Sequence, residues 1–114
     1  MIHNLGQENS ILNRFLSELR DEGIQKDSMR FRRNLERMGE ILAVEVSKTL
    51  EYVTQEIVTS LGVAEMNLPM EEPVIATILR AGLPFHQGFL NYFDHAPSSF
   101  ISCYRKHTTE HEFE

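Results

Sequence analysis

Residues 74–79, Val74-Ile75-Ala76-Thr77-Ile78-Leu79, form a short apolar run that only Thr77 interrupts. A run this short and continuous fits a β-strand buried on both faces, as strands of parallel sheets are. Arg80-Ala81-Gly82 breaks the run, and Pro84 suits the first turn of a following helix. Phe85, Phe89, Leu90 and Phe93 then recur at helical spacing. Residues 94–99, Asp94-His95-Ala96-Pro97-Ser98-Ser99, read as a loop, and residues 100–104 as a second strand. Strand, helix and strand in this order predict a βαβ unit of a parallel sheet.

The preceding residues carry helical periodicity. Asn9 or Ser10 can cap a first helix whose apolar face is Ile11, Leu12, Phe15, Leu16 and Leu19, with Gly23 ending it. A second, longer helix is predicted from Asp27 or Ser28. Its apolar stripe is Phe31, Leu35, Met38, Leu42, Val46 and Leu50, and Arg30, Arg33, Glu36, Arg37 and Glu40 form its charged outer face. From Val53 the pattern changes to strand. Thr54, Ile57, Val58 and Thr59, a turn at Ser60-Leu61-Gly62 and a restart at Val63 predict a β-hairpin. Residues 67–72, with Pro69 within them and Pro73 just after, read as a connecting loop. The fold class is therefore α/β. Residues 1–72 hold two helices and a hairpin, and residues 73–114 hold the βαβ unit.

At 114 residues the chain is at most one domain, and 41% hydrophobic residues suffice for a core. A net charge of -6 argues against general nucleic-acid binding, which needs a positive field. No apolar stretch is long enough for a bilayer, and the first residues lack the basic start and apolar run of a signal peptide. With Cys103 as the only cysteine, no intrachain disulfide can form. A cytoplasmic protein, without membrane or nucleic-acid partners, is the expectation.

Ligands of open α/β sheets bind beyond the carboxyl ends of the strands, where Arg80 falls. A helix that starts there offers partnerless N–H groups and a partial positive charge, which suit an anion. Gly82 permits close backbone approach, and Arg80 adds a planar donor fork suited to phosphate. Arg105, ending the next strand at the same sheet edge, would let two arginines hold one polyphosphate. On the residues alone, a solvated arginine at a strand end competes with this reading.

Ile78-Leu79-Arg80-Ala81-Gly82-Leu83, and farther on Tyr104-Arg105, resemble the uracil phosphoribosyltransferases. Residues 26–40, with Arg30-Phe31-Arg32 among them, resemble that family's second helix, and the likeness runs through nearly the whole chain. The resemblance implies a partial type I phosphoribosyltransferase fold, Rossmann-like in its sheet. It implies transfer of a phosphoribosyl group from phosphoribosyl diphosphate to uracil, giving UMP and diphosphate, with magnesium. Arg80, Ala81 and Gly82 match the family's diphosphate-binding loop, and Arg105 its second phosphoribosyl-diphosphate arginine. In related transferases this loop can hold a non-proline cis peptide. No catalytic residue and no metal ligand is carried over. In some members the region of Arg30 and Arg33 helps bind the activator GTP, which makes these two effector candidates.

The family's Asp and Thr-Gly-Gly turn for the ribose 5′-phosphate is absent: Gly6, Gly23, Gly39, Gly62, Gly82 and Gly88 are all isolated. Its carboxyl-terminal uracil loop is absent as well. The resemblance thus implies an amino-terminal half, inactive by itself, whose sheet gains cover as a homo-oligomer or within a longer protein. A nucleotide- or phosphoribosyl-binding module without catalysis is the alternative, and an interaction surface formed by the helices and hairpin is a third reading.

Other constellations favour plain explanations. Cys103, His107 and His111 are spaced four apart, but Cys103 reads as strand and no fourth metal ligand is evident. A solvated polar tail is the expectation. Lys26, Arg30, Arg32, Arg33 and Arg37 cluster around Phe31 as RNA-binding residues can, yet Glu36 and Glu40 lie within helical pairing distance. His86 reads as a surface histidine, although a phosphate contact or proton transfer is open to it.

Overall fold

The structure is a computed structural model that describes residues 2–102, 107–109 and 112–113. Helix α1 spans Leu12–Arg20 and α2 spans Ser28–Ser47. Strands β1 (Tyr52–Thr59) and β2 (Gly62–Pro69) form an antiparallel hairpin. Strand β3 (Ile75–Leu79), helix α3 (Leu83–Leu90) and strand β4 (Ser98–Ser102) follow, with β3 and β4 parallel. Two short strands, β5 (His107–Thr109) and β6 (Glu112–Phe113), pair antiparallel where the sequence reads as a polar tail.

Local chemistry sets the element ends. Asp27 caps α2 by accepting from the Arg30 N–H at 3.1 Å, and Ser10 Oγ accepts from the Leu12 N–H at 3.2 Å. α1 ends at Arg20, before Gly23. Asp21 turns extended there, and its carboxylate takes the Gly23 and Ile24 N–H groups at 2.8 and 3.2 Å. The hairpin turn falls where expected, and Gly62 supplies the left-handed backbone angle, φ 136°. Residues 67–69 are strand and not loop, because β2 stays in register until Pro69 meets Tyr52. β4 begins two residues before the expected Phe100, since Ile75 is already opposite Ser98.

The core lies where α2 and α3 cover one face of β3. Ala43, Ile75 and Phe93 are buried there, with Leu50, Phe89, Leu90 and Ala96 packed against them. The expected α2 stripe is only partly covered: Leu35, Met38, Leu42 and Leu50 are half-buried and Phe31 and Val46 exposed, whereas the fully buried positions are Asn34, Gly39 and Ala43. The cause is a close helix crossing. A Cβ on Gly39 would strike the Phe85 carbonyl oxygen, and a Cβ on Gly88 would strike the Glu36 carbonyl oxygen and lie 2.9 Å from Gly39 Cα. Small residues win the inner face because the two backbones touch. Asn91, just past α3, ties the crossing by donating from Nδ2 to Glu36 at 2.8 Å and Glu40 at 2.9 Å. Those two glutamates, expected to face outward, therefore lie beside α3.

β3 was expected to be covered on both faces. Among the described residues only one is: Ile75 is buried, but Val74 and Ile78 are 67% and 59% exposed. Both packing helices lie on one side of a sheet of two strands. The β1–β2 hairpin likewise stands largely in solvent, with Val58, Leu61 and Val63 exposed. Among the described residues no helix is long and apolar enough to cross a membrane.

Gly88→Ala inserts a methyl group into the backbone contact between α2 and α3. It is expected to destabilise the chain by about 3 kcal/mol, as overpacking does, seen as a lowered urea midpoint with an unchanged slope.

Candidate functional site

The turn after β3 is organised by its own backbone. Gly82 N–H donates to the Ile78 carbonyl at 3.3 Å, Leu83 N–H to Arg80 at 3.1 Å, and His86 N–H to Gly82 at 2.9 Å. Pro84 has no N–H to offer. The helix start is therefore less open than expected: the amides of Gly82, Leu83 and His86 are already used. What the turn presents outward is Arg80 with Ala81, both exposed. Among the described residues Arg80 makes no ion pair. The Leu79–Arg80 peptide bond is cis.

Gly82 serves close approach, but what approaches is the strand itself. A Cβ there would strike Thr77 Oγ1 and lie 3.0 Å from the Ile78 carbonyl oxygen. Its φ of -78° is ordinary, so space and not backbone freedom requires glycine. Thr77 thus fixes how tightly the chain folds back from β3 into α3.

Arg105, the second expected arginine, lies outside the described residues, as do Tyr104, Cys103 and His111. The effector candidates lie elsewhere, on α2. Arg30 pairs with Glu18 at 3.2 Å and faces Asp27 at 3.9 Å, and Arg33 pairs with Glu36 at 3.5 Å. Around them is a small polar network. Asn34, 1% exposed, donates to Glu18 Oε1 at 3.2 Å and accepts from Arg37 at 3.1 Å. Arg37 also stacks over the Phe15 ring at 5.3 Å. The Asn34 and Arg30 hydrogen bonds hold the Glu18 carboxyl below its usual range. This network joins α1 to α2 through Glu18, Arg30, Asn34 and the Arg37–Phe15 contact.

His86 is buried, 4% exposed, and not a surface residue. Its Nε2 lies 3.2 Å from Ser98 Oγ, its ring is 5.1 Å from that of Phe100, and Nδ1 is buried without a partner. Residues 86, 89 and 90 share one face of α3, a spacing that marks His86 as inward, and Phe93 lies just past the helix end. His86 links the helix after the turn to β4.

A family model for uracil phosphoribosyltransferase matches residues 7–114. The chain belongs to the uracil phosphoribosyltransferase family. It is 53% identical over 114 residues to a uracil phosphoribosyltransferase of Porphyromonas gingivalis, covering 100% of this chain and 52% of that protein. Against the enzyme of that name from Pyrococcus furiosus it is 33% identical over 101 residues, covering 87% of this chain and 43% of the relative. Among solved structures it superposes on the AQ2163 protein of Aquifex aeolicus with a TM-score of 0.74 at 25% identity, covering 100% of this chain and 54% of that one. The α/β fold read from the sequence is that of this family. The chain spans about half the length of the curated relatives it matches.

Gly82→Ala should destabilise the chain by about 2 kcal/mol, and Thr77→Ala in the same chain should recover part of the loss. A thermodynamic cycle from urea unfolding reads the coupling, and additive losses would separate Thr77 from the turn.

Proposed function

We propose that the chain supplies the diphosphate-holding part of a uracil phosphoribosyltransferase, which transfers the phosphoribosyl group of phosphoribosyl diphosphate to uracil and releases diphosphate. The observation that carries this reading is the exposed Arg80 at the carboxyl end of β3, in a turn fixed by Gly82 and within a chain of this family. In such a transfer the leaving diphosphate gathers negative charge as the bond to the ribose breaks. A fixed guanidinium at that point stabilises the departing charge and orients the substrate. Arg80 therefore holds diphosphate oxygens, Ala81 and Gly82 shape the turn around them, and Arg105 is the matching second arginine.

Magnesium belongs with the substrate in this reading. The turn Arg80-Ala81-Gly82-Leu83 holds no carboxylate, so it suits an ion that arrives on the diphosphate. For GTP, the candidates Arg30 and Arg33 already face carboxylates, and a nucleotide phosphate must displace Glu18 or Glu36 to reach them. The exposed apolar residues of the hairpin and of β3 support association with a second copy. Activity is assigned here to the whole family domain, of which this chain is about half.

Calorimetric titration with phosphoribosyl diphosphate and magnesium tests the reading. Arg80→Ala should weaken binding at least about tenfold, the loss expected for a charge-assisted contact. Equal binding by both proteins would remove Arg80 from the site. Binding with no turnover in a completed domain would favour a binding module over a transferase.

A further inference from the structure

His86 is a buried polar side chain that the diphosphate site does not use. It is 4% exposed and shares its face of α3 with Phe89 and Leu90. Burying a polar side chain costs free energy unless its atoms are hydrogen-bonded. Nε2 is 3.2 Å from Ser98 Oγ, whereas Nδ1 is buried without a partner. That imbalance selects a tautomer. A proton on Nδ1 would be a buried donor with no acceptor. With the proton on Nε2, the donor is used and only a lone pair stays unpaired. His86 therefore donates from Nε2 to Ser98 Oγ.

One residue thus touches the Arg80 turn and β4 at once. The His86 N–H donates to the Gly82 carbonyl at 2.9 Å and closes the first turn of α3, while the Leu83 N–H closes on Arg80 at 3.1 Å. The His86 side chain meets Ser98 and Phe100, which share one face of β4 and pair with Ile75 and Thr77 of β3. Thr77 is also the residue that spaces Gly82 from the strand. Among the described residues, the His86–Ser98 bond is the side-chain hydrogen bond that joins α3 to β4. The far end of α3 is held differently, by Asn91 on Glu36 and Glu40 of α2. Apolar packing of Phe89 and Leu90 gives cohesion without direction. A hydrogen bond with a preferred length and angle adds the direction.

We propose that His86 is a positioning residue for Arg80: by donating from Nε2 to Ser98 Oγ it holds the amino-terminal end of α3 in place over β4, and so fixes where Arg80 meets a diphosphate. Burial separates this role from catalysis. With both ring nitrogens inside the protein, His86 does not reach a substrate and acts only through the turn. Chemistry separates it from packing alone. A phenylalanine at position 86 would fill the space with no polar atom unpaired, but it would not bond Ser98. β3 and β4 run parallel, so their carboxyl ends, Leu79 and Ser102, lie at one edge of the sheet. A shift of α3 against β4 moves Arg80 along that edge. In a site that works by placement, a displacement of about 1 Å can cost about a hundredfold in rate. The role toward diphosphate rests on the proposed function, whereas the hold on the turn does not.

Two measurements on the isotope-labelled chain without ligand test the placement. In alkaline solution, long-range nitrogen–proton correlations of the His86 ring should show the proton on Nε2 and a bare Nδ1. A proton on Nδ1 overturns the proposal, because Nε2 then does not donate. Amide exchange reads the turn itself. Ser98→Ala should speed exchange at Leu83 and His86 about fivefold, the loss of one ordinary hydrogen bond. Tyr92 and Phe93, which bond back to Phe89 at the other end of α3, should be unchanged. His86→Phe should act as Ser98→Ala does, and His86→Gln, whose amide nitrogen can stand in for Nε2, should restore slow exchange. Unchanged exchange at Leu83 and His86 in both Ser98→Ala and His86→Phe overturns the proposal. So does an equal rise at Tyr92 and Phe93, since the bond then carries stability and not placement. Titration with magnesium diphosphate adds the functional arm. Ser98→Ala should weaken the saturable response of Arg80 about fivefold, while Leu12→Val, a destabilising change in α1, should leave it unmoved. Equal affinity in Ser98→Ala and the unaltered chain overturns the role toward diphosphate. An Arg80 that never responds in the unaltered chain is a failure of the proposed function, and the exchange data then decide the placement alone.

Discussion

The contact between the backbones of α2 and α3 at Gly39 and Gly88 positions everything that follows it. No side chain separates the helices there, and a single methyl group on Gly88 would strike the α2 backbone. The crossing presses Phe89, Leu90 and Phe93 onto Ile75 and Ala43 and so presents one face of β3 to the helices. It also sets where α3 begins. Since Leu83 and His86 bond back to Arg80 and Gly82, the start of α3 determines where Arg80 leaves the sheet. The site is thus a consequence of helix packing, with Thr77 and Gly82 as the final spacer.

The distribution of positive charge follows from the same packing. Arg30 and Arg37 reach Glu18 and Phe15 of α1 and so fasten it to α2, while Arg33 and Arg37 also contact Glu36 and Asn34 within α2. Such pairs contribute little stability each when exposed, and they engage Arg30 and Arg33 with carboxylates. Arg80 sits apart from them in a turn without acidic residues.

The elements that the sequence revealed were those with strong local signals. The run at residues 74–79, the proline at 84 and the turn at Ser60 to Gly62 each depend on near neighbours, and strand, helix and hairpin stand where these signals put them. The inner face of α2 was misread because hydrophobic spacing marks large residues. This crossing is made by Gly39 and Ala43, whose small size is informative only once Gly88 is known to lie opposite. His86 was misread for a related reason, since a histidine among phenylalanines suggests a polar surface until Ser98 is found beside it. At the candidate site, Arg80 and Gly82 were named by resemblance, and the structure places both in the turn after β3. The role of Thr77 was not, because it depends on a non-bonded contact across the turn. The one-sided burial of β3 also escaped the sequence, as an apolar run records what a strand prefers and not what surrounds it.

The central claim is that Arg80, and not the α2 arginines, meets the diphosphate. Titration of the isotope-labelled chain with magnesium diphosphate, observed at the arginine Nε–H resonances, tests it most directly. The account predicts a saturable shift of Arg80 with Arg30 and Arg33 unmoved, since both are held by carboxylates. A shift of Arg30 and Arg33 with Arg80 unmoved would contradict it.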